Sequence, residues 1–315
     1  MNNENIISIV IPVYNNEKTI KQLCNDITNI LDKNNYNKKY NIILINDGST
    51  DNSWNEIKLI YAENPKIYKL INLTKNFGQL SAILSGLSNC NSNCVVCISA
   101  DLQDTPEIIP QMIKAWQEGS NIVIANRKSR DDGIIYNILS QIAWKIIRLF
   151  ISKDIPKNGF DYFLIDKKVK DFYIQNSETH SFIQGLILSY GEKPFLIDYD
   201  RKKSNQGPNL TTSTSRRFQY FIDGIFGYSF LPLRMLTILG SAVFLSTILY
   251  TLYIFIMYFN KGAVVTGWSS LAISIALLNG LILFGLGIIG EYLIRILGEV
   301  RNRPKYVIKE IIQSS

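Results

Sequence analysis

The sequence predicts an α/β protein, a mostly parallel sheet covered by helices, followed by two apolar helices near the carboxyl end. Three observations carry this. Apolar strands and amphipathic helices alternate over residues 6–125. Those strands are almost wholly apolar, the pattern of strands buried on both faces. Met235 to Phe259 and Leu271 to Gly290 contain no charged residue, and about 20 apolar residues suffice to cross a bilayer core.

In order, residues 6–11 read as a strand and 17–31 as a helix. Residues 41–45 form the next strand, which leads into Asn46-Asp47-Gly48-Ser49-Thr50-Asp51 and a helix to about residue 62. A strand over 67–73 precedes Leu73-Thr74-Lys75-Asn76-Phe77-Gly78-Gln79 and a helix over 79–87. Residues 94–99 are a strand running into Asp101, Gln103 and Asp104, with Asp104 read as a helix N-cap. Pro106 opens the following helix, where its missing N–H does no harm. Residues 121–125 are a further strand. Sheets of this kind bind ligands beyond the carboxyl ends of their strands. The polar clusters fall there: Tyr14, Asn15 and Glu17, then Asp47, then Lys75 and Asn76, then Asp101 and Gln103. Four converging loops suggest a nucleotide-sized ligand.

After Arg130 the alternation stops. Ile135, Ile138, Leu139, Ile142, Ile146 and Leu149 recur at helical spacing, with Asn137, Gln141, Lys145 and Arg148 opposite. The expected amphipathic helix, about 134–152, has the basic polar face of a membrane-interface helix; packing on the sheet is the alternative. Residues 216–232, with Phe218, Tyr220, Phe221 and Phe226 beside two arginines, form a second interfacial segment. The organisation read from the chain is a domain over 1–215, an interfacial helix over 216–232, a two-helix transmembrane hairpin over 233–295 and a tail over 296–315.

Charge gives the hairpin an orientation. Arg216, Arg217 and Arg234 precede the first span, and Arg295, Arg301, Arg303 and Lys305 follow the second. The connection carries only Lys261. By the positive-inside rule the domain and both termini are cytoplasmic and the protein is multi-pass in the inner membrane. The amino-terminal residues lack the basic leader and long apolar run of a signal peptide. The formal charge of +7 is not read as nucleic-acid binding, because the basic residues cluster near the spans, where anionic headgroups account for them.

The four cysteines are read as buried thiols. Cys90, Cys94 and Cys97 lack a matching pair, and His180 is the single histidine. Cys94 and Cys97 also point to opposite faces of their strand. A dehydrogenase would need a glycine-rich turn after the first strand, and Pro12-Val13-Tyr14-Asn15-Asn16-Glu17 has no glycine.

Several segments together resemble family 2 glycosyltransferases of the polyprenyl-phosphate type, the group of dolichol-phosphate mannose synthase and the bactoprenol glucosyltransferases. They are IPVYNNE (11–17), INDGSTDNS (45–53), LTKNFGQLSAILSGL (73–87), SADLQDTPE (99–107), NGFDYFLIDKKV (158–169) and GEYLIRILGEVRNRPKY (290–306). The resemblance implies a GT-A (Rossmann-like) fold, a nucleotide-sugar donor, Mg2+ or Mn2+, a polyprenyl phosphate acceptor and a membrane setting, and it is compatible with a homo-oligomer. It assigns Pro12, Tyr14, Glu17, Asp47, Lys75, Asp101 and Gln103 to the donor, with Asp101 and the Gln103 carbonyl at the cation. Arg127, Arg130 and Arg201 are the expected phosphate partners. Asp161 is the expected catalytic carboxylate, with Asp154 as the alternative, and Asp166 is expected to be structural.

Two positions depart from the family pattern. Asn46 and Ser99 stand where an aspartate is common. Magnesium typically takes only one or two carboxylates and completes its shell with substrate phosphates and water, so a working site remains the expectation. The reaction expected is inverting transfer of a hexose, from UDP-glucose or a related UDP-sugar, to the lipid phosphate, giving a lipid-linked donor for cell-surface glycan modification. The alternative is an inactive, membrane-anchored nucleotide-sugar-binding scaffold. A processive polysaccharide synthase would need a Gln-x-x-Arg-Trp motif and more spans, and the sequence has neither.

Overall fold

The structure is a computed structural model. It describes residues 7–36, 39–127, 148, 155–156, 159–177, 182–201, 231–261, 267–301 and 303–314. The chain divides into two compact units, Met1–Gly224 with Arg303–Ser315, and Ile225–Asn302.

The first unit is built on one sheet of eight strands. These are β1 (Ile7–Val13), β2 (Tyr40–Asn46), β3 (Tyr68–Leu73), β4 (Cys94–Cys97), β5 (Ile122–Arg127), β6 (Phe163–Asp166), β7 (Phe195–Tyr199) and β8 (Ile308–Gln313), in the order β7-β5-β6-β4-β1-β2-β3-β8. Strands β1 to β4 pair in parallel, and β7 pairs in parallel with β5. β6 lies between β4 and β5 and runs antiparallel to both. Six strands therefore point one way, and β6 and β8 point the other. The mostly parallel expectation holds, and the strand over 121–125 is separated from β4 by the antiparallel β6.

β1 is central and its residues face packed layers on both sides, so Ile7, Ile9, Val10, Ile11 and Val13 are all buried. Pro12 is tolerated there because β4 pairs with β1 only as far as Val10, opposite Cys97. Helices α1 (Ile20–Lys33), α2 (Ser53–Glu63), α3 (Gln79–Ser88) and α4 (Ile109–Gln117, entered through a 3-10 turn at Pro106–Ile108) alternate with the strands. α3 lies close on the sheet through Gly86, where a β-carbon would sit 2.7 Å from a Val10 methyl. α5 (Lys167–Asn176) and α6 (Ile183–Leu188) follow β6. Asp166 caps α5 by accepting from the Lys168 N–H at 2.9 Å, and it also accepts from Trp116 Nε1 at 2.8 Å. It is structural, as expected. All four cysteines are buried and unpaired.

The carboxyl-terminal segment differs from the expected tail. β8 is an antiparallel edge strand on β3, and the Thr74 N–H donates to the Val307 carbonyl at 3.0 Å. Lys305 reaches the Ser177 carbonyl. The second unit contains α7 (Leu231–Lys261) and α8 (Trp268–Val300). Both are long and apolar enough to cross a membrane. The expected helices at 134–152 and 216–232 lie outside the described residues, apart from Arg148 and the first two residues of α7.

Candidate active site

The strand directions bring every described site residue to one edge of the sheet. Tyr14, Asn15 and Glu17 follow β1, Asp47 follows β2, Lys75 follows β3 and Asp101 and Gln103 follow β4. Arg127 ends β5 and Arg201 follows β7. Asp161 joins them because it precedes β6, which runs the opposite way.

The loops after β1, β2 and β3 are tied by a dense set of hydrogen bonds. The Asn15 N–H donates to Ser49 Oγ at 3.2 Å, and the Asn15 side chain accepts from the Thr50 N–H at 2.9 Å. Asn15 takes a left-handed backbone, φ 55°, which asparagine adopts more readily than most residues. The Asn16 N–H donates to Ser53 Oγ at 2.8 Å. Glu17 and the α2 entry are joined twice: its N–H donates to Asp51 Oδ2 at 3.2 Å and its carboxylate accepts from the Asn52 N–H at 3.0 Å. Glu17 thus positions the loop.

Asp47 is buried and accepts from the Phe77 N–H at 2.8 Å and the Gly78 N–H at 3.0 Å. Burial raises its carboxyl pKa above the ordinary value, and those two N–H groups oppose the rise without cancelling it. Gly48 beside it has φ 63°, and a β-carbon there would lie 2.4 Å from the Asn76 nitrogen. Only glycine fits this crossing of two loops. Asn46 donates to Asn72 Oδ1 at 2.8 Å and accepts from the Ser49 N–H at 3.2 Å. A carboxylate could not make that donation, so asparagine has its own structural use here. Lys75 is exposed, with Nζ 5.1 Å from the Phe77 ring centre.

On the β4, β5 and β7 side, charge dominates. Ser99 Oγ lies 2.9 Å from Asp101 Oδ1 and 2.7 Å from Asp104 Oδ2, bridging two carboxylates with one hydroxyl. A third carboxylate at this position would add like charge to both. Asp101 also accepts from the Gln103 N–H at 3.1 Å, around Leu102, whose φ of 59° is in the left-handed region. Such strain in a bulky residue persists only where its surroundings hold it.

Asp104 corrects the N-cap reading. It makes no cap bond to the turn at Pro106; it is 1% exposed and is the hub of the cluster. Tyr199 Oη donates to its Oδ1 at 2.5 Å, and Arg201 Nε stands 3.2 Å from the same oxygen. Burial pushes the Asp104 carboxyl up, but Arg201, Arg127 and the Tyr199 and Ser99 hydroxyls together hold it below its ordinary range. Arg201 also faces Asp101, Nη2 to Oδ2, at 3.6 Å.

Arg127 is 4% exposed. Its Nε donates to Tyr199 Oη at 3.2 Å and its Nη2 to Asp161 Oδ2 at 3.0 Å. Expected at a substrate phosphate, it instead braces Asp161. Gln184 supports the other side of that carboxylate, donating to Oδ1 at 3.3 Å and to the Phe160 carbonyl at 2.7 Å. Asp161 is 44% exposed and has free acceptor capacity. A continuous path thus runs Asp161–Arg127–Tyr199–Asp104–Ser99–Asp101. Tyr199, Gln184 and the hub role of Asp104 escaped the sequence reading. The signal available for Tyr199 was a polar aromatic at the carboxyl end of a short strand, beside Arg201. Arg130 and Asp154 lie outside the described residues. Among the described residues no group of three metal-ligating side chains converges.

Comparison with known proteins identifies the family. Residues 8–173 match the family model described as "Glycosyl transferase family 2". An uncharacterized glycosyltransferase of Synechocystis is 34% identical, covering 97% of this chain and 95% of its own. A prophage-derived bactoprenol glucosyl transferase of Shigella flexneri is 32% identical, covering 96% and 97%. A mannosyltransferase from Pyrobaculum calidifontis, solved in complex with GDP-Man and Mn2+, superposes with a TM-score of 0.49 at 17% identity, over 71% of this chain and 64% of that one. With more than half its length inside the family model and near-complete relatives above 30% identity, this chain belongs to glycosyltransferase family 2.

Proposed function

We propose that this enzyme transfers a hexose from a nucleotide sugar, UDP-glucose or a related UDP-sugar, to polyprenyl phosphate at the cytoplasmic face of a membrane, with inversion at the anomeric carbon. The observation that carries the reading is the pairing of one part-exposed carboxylate, Asp101, with a second, Asp161, braced by Arg127 and Gln184 on the same sheet edge. Near-full-length similarity to bactoprenol glucosyl transferases supports the lipid acceptor. Two helices of membrane-spanning length in the same chain support the membrane setting.

The residues present fit a divalent cation. Asp101 is 22% exposed, with Oδ2 turned from the Gln103 N–H, and Asp104 is fully committed inside. One accessible carboxylate suits Mg2+ or Mn2+ that completes its shell with diphosphate oxygens and water; the Gln103 carbonyl would be the second protein ligand. Bound there, the ion would neutralise charge developing on the leaving diphosphate.

The chain's own residues do the rest. Glycine-shaped and hydrogen-bonded, the loops around Pro12, Tyr14, Glu17, Asp47 and Lys75 form the nucleoside cradle. The nucleophile is a phosphate oxygen. A phosphomonoester has its second pKa near 6 and is already largely dianionic at neutral pH, so little deprotonation is required. Asp161 orients the acceptor and takes any residual proton, and Arg127 fixes its rotamer through one oxygen. Attack on the face opposite the diphosphate gives a beta-linked product from an alpha-linked donor.

The scaffold alternative drew on Asn46 and Ser99. Each now has a hydrogen-bonding task, so neither argues for a lost activity. Full-length protein incubated with labelled UDP-glucose, Mg2+ or Mn2+ and undecaprenyl phosphate should yield label in the organic phase. Absence of lipid-linked label across a panel of nucleotide sugars would favour the scaffold.

A further inference from the structure

Arg201 occupies an unusual place in the charged cluster. Its guanidinium spans both carboxylates, 3.2 Å from Asp104 Oδ1 and 3.6 Å from Asp101 Oδ2. The contact is coulombic rather than directional. Nε is buried and makes no aligned hydrogen bond, and 3.6 Å exceeds hydrogen-bond length. Asp104 has other support, from the Tyr199 and Ser99 hydroxyls and the nearby charge of Arg127. Loss of Arg201 therefore leaves Asp104 partnered. Asp101 by contrast keeps only the neutral donors Ser99 and Gln103 N–H among its described hydrogen bonds.

We propose that Arg201 is the built-in counter-cation of this site in the donor-free enzyme: it holds the face of Asp101 that a divalent cation would take, and the two exchange when a nucleoside diphosphate arrives. The proposal rests on the cation assignment made above. A guanidinium and a divalent ion repel each other, so each weakens the other's hold on one carboxylate at short range. The diphosphate brings the negative charge that resolves the conflict. Arg201 is permanently protonated, and its planar fork matches phosphate oxygens, so it gains a partner as it gives one up. The consequence is ordered loading. Metal binds poorly alone and well together with the donor.

The test is Mn2+ binding without turnover, read from the paramagnetic resonance of free Mn2+ with full-length protein in detergent. Arg201→Gln should bind Mn2+ alone roughly five- to tenfold more tightly than wild type, the scale of removing one part-buried competing charge. Arg201→Lys keeps the charge but cannot bridge both carboxylates, so it should fall between the two; it also serves if the Gln variant does not fold. With uridine diphosphate present, wild type and variant should converge to within about threefold. Equal or weaker Mn2+ binding by Arg201→Gln, or by Arg201→Lys where only that variant folds, overturns the proposal, as does a gap that uridine diphosphate leaves unchanged. Asp101→Asn separates the two ideas. If it abolishes Mn2+ binding while the Arg201 variants bind no more tightly, the counter-cation role fails and the cation site stands. If it binds Mn2+ like wild type, the cation assignment itself fails, and this proposal with it.

Discussion

The two halves of the candidate catalytic edge are held by different forces. Around β1, β2 and β3, loops are tied by backbone and amide hydrogen bonds: Asn15 to Ser49 and Thr50, Asn46 to Asn72, Asp47 to Phe77 and Gly78. Around β4, β5 and β7 charge is added to the hydrogen bonds: Asp161 is held by an aligned bond from Arg127, whereas Asp101 and Asp104 face Arg201 without one. Hydrogen bonds with fixed directions preserve a shape, whereas ion pairs without tight alignment exchange partners when a new charge enters. The first half suits recognition of a constant nucleoside. The second suits a site whose charge changes during the reaction.

Substitutions in the two halves should therefore fail differently. The largest effect is expected at Asp101. Asp101→Ala should lower lipid-linked product by at least about a hundredfold, as for loss of a cation ligand, with an unchanged thermal midpoint. Retained turnover would show the cation is held elsewhere. Asp161→Asn should slow transfer roughly tenfold to a hundredfold at saturating donor, less than a full general base, because the phosphate is already ionised. A wild-type rate would move the role to Asp154.

On the hydrogen-bonded side the damage should be to folding. Gly48→Ala puts a β-carbon 2.4 Å from the Asn76 nitrogen at φ 63°, and should cost about 2–4 kcal/mol, read as a lower thermal midpoint. An unchanged midpoint would mean that the loop crossing can relax. The smallest effect separates Asp47 from Asp104 by pH. Asp104 has a depressed folded pKa, so its stabilisation is complete above the ordinary value of 3.8 and is lost as pH falls through the folded value. Asp47 has a raised one, so stability is given up as pH rises from 3.8 through that higher value, and is constant above it. Thermal midpoints at stepped acid pH should show Asp104→Asn converging on wild type at the lowest pH and Asp47→Asn diverging least from it at the highest. Parallel curves for both variants would remove the electrostatic distinction.

Much of the architecture was legible because it rests on local patterns. Burial on both faces leaves β1 and β2 no polar alternation, and Pro106 and Gly78 mark helix entries, so these elements lie within a few residues of their expected bounds. β6 and β8 were not legible as sheet members. Phe163–Asp166 is too short to show a period, and Ile308–Gln313, with charges at Lys309 and Glu310, reads like a solvated tail until β3 is seen beside it. The site divides in the same way. Asp101 stood out as an acid after an apolar strand and Asp161 only through the family motif around it, but Asp104 was misread, since a buried hub and a helix cap look alike in Asp-Thr-Pro.

The chain's own pattern was enough to determine the strand–helix alternation, the sheet edge where the polar loops converge, the two apolar helices and the family, because periodicity, charge and motif are properties of neighbours along the sequence. Only the tertiary structure decided which charges meet. Arg201 lies 100 residues from Asp101 and Tyr199 lies 95 from Asp104, and nothing local specifies those pairs. Their contact follows from β5 and β7 running in register while β6 runs against them, which brings distant strand ends to one place.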